Sequence, residues 1–342
     1  MKILIVKTSS LGDVIHTLPA LTDALRAYPD LEVDWLVEKN FSEPLRWHSG
    51  VKRIIEIEFR KWRKTPWQAW QQGHWQSVYK QLRQNHYDII IDAQGLSKSA
   101  FMAFVAKGKR HGLAMGSSRD PVAPWLYHHR HVIDWQTHAI ERIRQLFSKA
   151  LHYPMPNTEA DYGLQAFFNP YVSAQSAQYI LFLHGTTWDT KLWPLPEWQA
   201  LGQKLKKAGY QIRLPWGNAI EKERAQAIAK ACDGQVLPPL NLREIALELI
   251  NAQAVVAVDT GLGHLAAALS VPTLSLYGAT DANKTGTRGI SQQHLSVQYH
   301  CAPCLQQQCR WAKASETPPC YNTLSDNHVM QTLQSLLQET TS

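Results

Sequence analysis

No stretch of this 342-residue chain stays apolar for anything near the ~18 residues that argue a membrane-spanning helix. Its opening, MKILIVKTSS, is a strand pattern broken by Lys7, with neither the apolar length nor the cleavage site of a signal peptide. A cytoplasmic location is therefore expected. Several catalytic signatures are missing too. Only Gly12 follows the first strand, where a dehydrogenase needs Gly-x-Gly-x-x-Gly, and no Gly-x4-Gly-Lys-Ser/Thr loop occurs. There is no Gly-x-Ser-x-Gly elbow for a hydrolase and no Asp-x-Asp pair for a metal–diphosphate clamp. Neither an internal repeat nor a low-complexity tract is evident. Cysteines are few: Cys232, then Cys301, Cys304, Cys309 and Cys320. Disulfides are not expected in a cytoplasmic chain. The last four, spaced Cys-x2-Cys-x4-Cys-x10-Cys, read either as zinc ligands or as reduced thiols in a loop.

What is present is a globular composition, 44% hydrophobic and 18% charged, with length enough for two domains. The net charge of +7 is uneven: 22 basic and 16 acidic residues precede residue 166, whereas the remainder is nearly balanced. A basic first half suits an acidic partner, which charge alone does not choose among nucleic acid, anionic lipid and a phosphorylated substrate.

Strands and helices alternate through the first half. Ile3–Val6, Val33–Val37, Val51–Ile57 and Ile89–Asp92 read as strands, and a helix after Asp13 should be kinked or split by Pro19. Such alternation predicts a doubly wound parallel sheet. Residues 62–75 interleave Trp62, Trp67, Trp70 and Trp75 with Arg60, Lys61, Arg63 and Lys64 around their start. That mixture suits an anionic membrane interface, a phosphorylated glycolipid or stacked single-stranded nucleic acid, and equally a solvated helix with tryptophans beneath it. His128-His129-Arg130-His131 reads as an anion-facing or simply exposed loop, since consecutive residues do not converge on one metal ion. The pattern weakens from Tyr153 to Gln178, a candidate hinge.

The scheme then restarts with a strand over Tyr179–Leu183, a polar loop to Lys191, a helix from Trp198 and a strand over Gln211–Leu214. Its centre is Val255–Gly278: a buried strand, the turn Asp259-Thr260-Gly261-Leu262-Gly263-His264, a short helix and a second buried strand. Two glycines let backbone approach a ligand, and the helix's first N–H groups carry positive partial charge. This is an anion site suited to phosphate, although Asp259 as a cap and the glycines as turn formers account for the same residues. Two α/β units joined by a weak segment predict a ligand-binding cleft.

The run Lys7-Thr8-Ser9-Ser10-Leu11-Gly12-Asp13-Val14-Ile15-His16-Thr17-Leu18-Pro19-Ala20 resembles the amino-terminal signature of the lipopolysaccharide heptosyltransferases, glycosyltransferase family 9. Ile91–Leu96, His138–Arg142, His184–Thr187 with Lys191 and Trp193-Pro194, Leu214–Gly217 and Asp259–His264 match the same family in order. The resemblance implies a GT-B fold: two Rossmann-like doubly wound domains facing a cleft, acceptor in the first (1–165) and donor in the second (166–325). The end of the chain (326–342) is expected to form a helix packing back on the first domain. The implied donor is ADP-L-glycero-β-D-manno-heptose and the implied acceptor the Kdo of Kdo2-lipid A, with inversion at the anomeric carbon. No cofactor, metal or nucleic acid is implied, and the enzyme would sit peripherally on the cytoplasmic face of the inner membrane, on its anionic surface.

In that scheme Asp13, which alone reads as a helix cap, becomes the general base for the acceptor hydroxyl. Lys191, Thr186, Thr187 and N–H groups at Thr260, Gly261 and Leu262 would stabilise the leaving diphosphate. His264 would touch phosphate, Glu221 ribose or heptose hydroxyls, Trp216 and Gly217 the adenosine, and Asp259 a heptose hydroxyl. Lys7, Ser10, Arg60, Arg63, Lys64 and Arg119 are the acceptor-side candidates. The Cys301–Cys320 cluster departs from the pattern of members that use Kdo. It leaves open a heptosylated acceptor; a nonenzymatic nucleotide-sugar or glycolipid binder is the alternative of another class.

Overall fold

The computed structural model describes residues 1–173, 178–313 and 317–341, the last two without their side chains. It divides into two compact units, 1–164 and 165–342. In the first, β1 (Lys2–Val6), β2 (Glu32–Glu38), β3 (Val51–Ile57), β4 (His86–Asp92), β5 (Lys107–Leu113) and β6 (His129–His131) form one sheet in the order β3-β2-β1-β4-β5-β6. Every pairing is parallel. The β1 run Ile3–Val6 is wholly buried, as a central strand covered on both faces must be.

Pro19 does split the helix after β1. Leu11–Ile15 ends before it, and Leu18–Ala27 takes it into its first turn, where its missing N–H leaves no bond unmade. The His-rich run is not the expected loop: His129–His131 is the sheet's edge strand, paired on β5, with the His111 ring stacked against those of His129 and His131. The tryptophan segment divides. Trp62 is buried with Trp75 against it, while Trp67 and Trp70 on the helix Pro66–Gln71 are exposed.

The second unit repeats the plan. β7 (Tyr179–Leu183), β8 (Gln211–Leu214), β9 (Gln235–Val236), β10 (Ala254–Val258), β11 (Thr273–Tyr277) and β12 (Gln292–Ser296) lie in the order β12-β11-β10-β7-β8-β9, again all parallel. Renumbered from its own first strand, this is the same 3-2-1-4-5-6 order as the first unit. Its core gathers Phe182, Trp193 and Trp198. The closing helix, Asp326–Thr341, adds Val329, Leu333 and Leu336 to that same core. The reason is local: its apolar side meets the helix Leu195–Lys207, and the Leu324 carbonyl just before it accepts a hydrogen bond from Trp193 Nε1 at 2.9 Å.

In sheets of this order ligands bind beyond the carboxyl ends of the strands where the winding reverses. That point lies between β1 and β4 in the first unit and between β7 and β10 in the second. Among the described residues no helix is long and apolar enough to cross a membrane.

Candidate functional site

The second unit's reversal point is built from the loops after β7, β8, β10 and β11. Lys191, on the β7 loop, places its ammonium 2.7 Å from Asp259 Oδ2. Thr280, after β11, donates its hydroxyl to the same oxygen at 2.5 Å, and His264 Nε2 lies 3.8 Å from Oδ1. The Trp188 ring lies under the lysine, 4.5 Å from Nζ. Asp259 is thus engaged as the holder of Lys191, where a heptose contact was expected of it. Thr186 donates to the Asp259 carbonyl at 3.0 Å, joining the β7 loop to the β10 loop, and Thr187 is exposed beside it.

The helix Gly261–Ala268 begins directly after these groups. Gly263 and His264 return their N–H groups to the Thr260 carbonyl, and Thr260 makes no side-chain cap. The N–H groups of Gly261 and Leu262 therefore open the helix next to Lys191, a concentration of positive potential with a pre-set ammonium.

The β8 loop supplies the rest. Glu221 Oε2 accepts the Gly217 N–H at 2.7 Å, and Asn218 accepts the Glu221 N–H at 2.9 Å. A Cβ on Gly185 would stand 2.7 Å from Glu221 Cδ, so the present place of this carboxylate against the β7 loop uses the space that glycine leaves. Trp216 is fixed by its indole N–H on the Leu237 carbonyl, 2.8 Å away. The expected donor-side residues stand on the loops and helix starts that follow β7, β8 and β10. Thr280 was not expected, since a lone threonine after a strand carries no sequence signal.

At the first unit's reversal point Asp13 lies in the first turn of Leu11–Ile15, half exposed. Its Oδ2 accepts the Ser10 N–H at 2.9 Å and the Ser10 hydroxyl at 3.0 Å, and Lys7 Nζ stands 3.2 Å from Oδ1. Burial works to raise the carboxyl's pKa. The Lys7 ammonium, the Ser10 N–H and His16 outweigh it and hold Asp13 well below the usual carboxylate range. Lys7 is itself buried, with its remaining contact the Ala93 carbonyl at 3.0 Å. Lys7 and Ser10, expected on the acceptor, both bond Asp13, Lys7 from a buried position at the end of β1 and Ser10 from the exposed turn.

Other basic residues surround this point. Lys98 lies within electrostatic reach of Glu38, Arg60, Arg63 and Asp13, and burial lowers its pKa. Arg119 and Arg142 both lie over the Trp135 ring, at 5.6 and 3.9 Å, and Arg142 also feels Asp13. Lys64 is exposed beyond the helix Phe59–Trp62. Lys98, Arg142 and Glu38 were not expected. Arg142 stood within a matched motif, whereas Lys98 and Glu38 are distant in sequence and met only through the sheet.

The zinc reading of the cysteines finds no geometric support. Among the described residues no group of three or more His, Cys, Asp or Glu is arranged to hold a metal ion, and Cys301, Cys304, Cys309 and Cys320 are free thiols. Burial and the three neighbouring thiols push Cys320 up to about 11, which keeps it protonated.

Comparison with known proteins follows the same lines. The model of glycosyltransferase family 9 (heptosyltransferase) matches residues 75–315. Lipopolysaccharide heptosyltransferase 1 of Pseudomonas aeruginosa is 46% identical, covering 98% of each chain. The Escherichia coli heptosyltransferase WaaC with ADP superposes with a TM-score of 0.87 at 39% identity, over 98% of this chain and 100% of that one. The same enzyme with ADP-2-deoxy-2-fluoro heptose gives 0.84 at 39% identity, over 98% and 99%.

Proposed function

The chain belongs to glycosyltransferase family 9, the heptosyltransferases, and from that premise we propose that it transfers L-glycero-D-manno-heptose from ADP-heptose to the Kdo of Kdo2-lipid A, with inversion. The observation that carries the reading is the second unit's rim, where Lys191, held by Asp259, stands beside the open N-terminus of Gly261–Ala268. The name of the 46% identical relative and the ADP-heptose analogue in the WaaC structure support the same donor and a lipopolysaccharide acceptor.

In this mechanism the Asp13 carboxylate accepts the proton of the Kdo hydroxyl as that oxygen attacks the anomeric carbon from the face opposite ADP. The bond from the anomeric carbon to the ADP oxygen breaks, and both electrons leave with the diphosphate. Lys191 and the Gly261 and Leu262 N–H groups receive that charge as preorganised donors, with Thr186 and Thr187 beside them. A base held so acidic is ionised at every physiological pH. It takes the proton late, once attack has made the hydroxyl acidic. Arg60, Arg63, Lys64, Lys98, Arg119 and Arg142 suit the phosphates and carboxylates of the acceptor. Exposed Trp67 and Trp70 beside Arg60–Lys64 suit an anionic membrane surface and support a peripheral position on the cytoplasmic face of the inner membrane.

The test is transfer from ADP-heptose to purified Kdo2-lipid A, read as product mass and ADP release, with EDTA present. One heptose added per acceptor is expected. Asp13→Ala should keep ADP-heptose binding and lose about 10^2- to 10^4-fold in turnover. Transfer only to an acceptor already carrying heptose would overturn the Kdo assignment, and unchanged turnover in Asp13→Ala would remove the base from the mechanism.

A further inference from the structure

A second surface of the first unit combines charge and apolar exposure, and the transfer chemistry does not use it. Of the sixteen large apolar side chains exposed among the described residues, six fall between Phe101 and Val132. Between Asp92 and Asp134 the chain has six Lys or Arg and a single acid, Asp120. That acid is occupied: it accepts the Ser97 N–H and hydroxyl at 2.8 and 2.5 Å and the Val122 N–H at 2.9 Å. So no free carboxylate from this stretch answers its basic groups.

Four of the apolar residues lie together. Phe101 and Phe104, one turn apart on the helix Ser97–Val105, are each about half exposed. That helix packs through Ala100 onto Ala123, Tyr127 and Leu126, whose neighbours Val122 and Trp125 are exposed at 56% and 66%. Guanidinium groups bind the set into one face. Arg110 lies 5.1 Å over the Phe104 ring and donates from Nε to the Leu126 carbonyl at 2.7 Å. Arg130 lies 5.7 Å over the Trp125 ring. Arg110 and Arg130 share a side of the sheet, since Arg130 pairs with Gly112, two residues beyond Arg110 on β5.

We propose that this face, Phe101, Phe104, Val122 and Trp125 with Arg110 and Arg130, is a docking surface for an anionic lipid bilayer. The inference rests on the reading that the acceptor is an acylated lipid, and adds a membrane contact separate from Trp67 and Trp70. Aromatic rings at headgroup depth with guanidinium groups on the lipid phosphates are the arrangement an interface selects. The cation–π contacts hold both in one layer without a carboxylate. A second copy of the chain is the poorer occupant, because a two-fold contact would set Arg110 and Arg130 against their own images. An exposed apolar patch on a stretch whose one carboxylate is already bonded fits phosphate-rich lipid better than solvent.

The experiment is co-sedimentation of the full chain with phosphatidylcholine vesicles, with and without added phosphatidylglycerol. Binding to the anionic vesicles is expected. The triple variant Phe101→Ser/Phe104→Ser/Trp125→Ser should lower it by about tenfold or more. Arg110→Gln/Arg130→Gln should cost about fivefold per arginine on anionic vesicles and little on neutral ones. Circular-dichroism melting establishes that both variants fold. Both should transfer heptose to a deacylated, water-soluble acceptor as the unmodified chain does. Failure of that transfer in the unmodified chain would strike the acceptor assignment and leave the lipid result standing. Wild-type pelleting by the triple variant, or loss of all binding in Trp67→Ser/Trp70→Ser alone, would overturn the proposal. So would a lipid-free dimer in sedimentation velocity that the triple variant disperses.

Discussion

Lys7 shows how one buried charge sets the chemistry of another. Its ammonium has two partners, Asp13 and the Ala93 carbonyl, and little access to water. Replacing it with methionine preserves the stem and removes the charge. Asp13 then keeps the Ser10 N–H and the influence of His16 but loses the largest opposing influence on its burial, so its pKa rises towards the ordinary carboxylate value. The acid limb of the kcat/KM profile should accordingly move up in pH in Lys7→Met, while Asp13 stays ionised at neutral pH. The sign for stability follows. A depressed folded-state pKa stabilises the fold above the unfolded carboxyl's pKa and is lost as pH falls through the folded value. Lys7→Met should therefore lose stability at pH 7 and less in strong acid. An unmoved acid limb would show that Lys7 does not govern Asp13. The sequence showed Lys7 and Asp13 six residues apart, and made one an acceptor ligand because nothing in it says that the end of β1 turns the lysine inward.

At the scale of elements, the site is a set of loops whose mutual approach depends on small residues. Gly185 is the sharpest case. An alanine there would push aside the Glu221 carboxylate, the movable end of its side chain, whose other oxygen accepts the Gly217 N–H, and so cost that bond. Gly185→Ala should raise the KM for ADP-heptose about tenfold while kcat changes less than about threefold, because the side chain displaced is Glu221 and the Lys191–Asp259 pair does not include it. Equal losses in both would show that Glu221 acts in the transition state. Strands marked by an apolar pattern were legible, the edge strand Val51–Ile57 among them, and Tyr179–Leu183, Gln211–Leu214 and Thr273–Tyr277 also run where their patterns placed them. The edge strand His129–His131 was not, because an edge needs no apolar run and its histidines mimic an exposed loop. The motif loops at Asp13, Lys191 and Asp259 were legible as polar turns between buried strands. Their cross-connections, Thr280 to Asp259 and Glu221 over Gly185, join residues that only the sheet brings together.

At the scale of the whole molecule, three buried histidines set how the protein meets acid. Burial lowers His48, His111 and His184 to about 4 each, with Arg224 adding to the effect at His184 and neighbouring histidines adding at His111. The hydrogen bonds of His48 and His111 call for the neutral ring. Gly50 donates its N–H to His48 Nδ1 at 3.1 Å, and His111 Nδ1 shares the space of one proton with His131 Nε2 at 3.1 Å. Unfolded imidazoles titrate near 6.5, so below that pH the unfolded chain binds protons that the fold refuses. The stabilisation from each neutral histidine is complete above about pH 6.5 and drains away as pH falls towards about 4. By pH 5 the loss is about 1–2 kcal/mol per histidine, together a large part of the ~5–15 kcal/mol that holds a typical domain. His48 and His111 lie in the first unit and His184 in the second, so both should weaken in the same window. Thermal midpoints measured from pH 8 to pH 4 should stay level to about 6.5 and then fall steadily. Loss from Asp13 follows only in stronger acid, because its folded pKa lies below the usual carboxylate range. A midpoint that stays level to pH 4 would mean that these three rings accept protons without unfolding, and their burial would then have no bearing on stability.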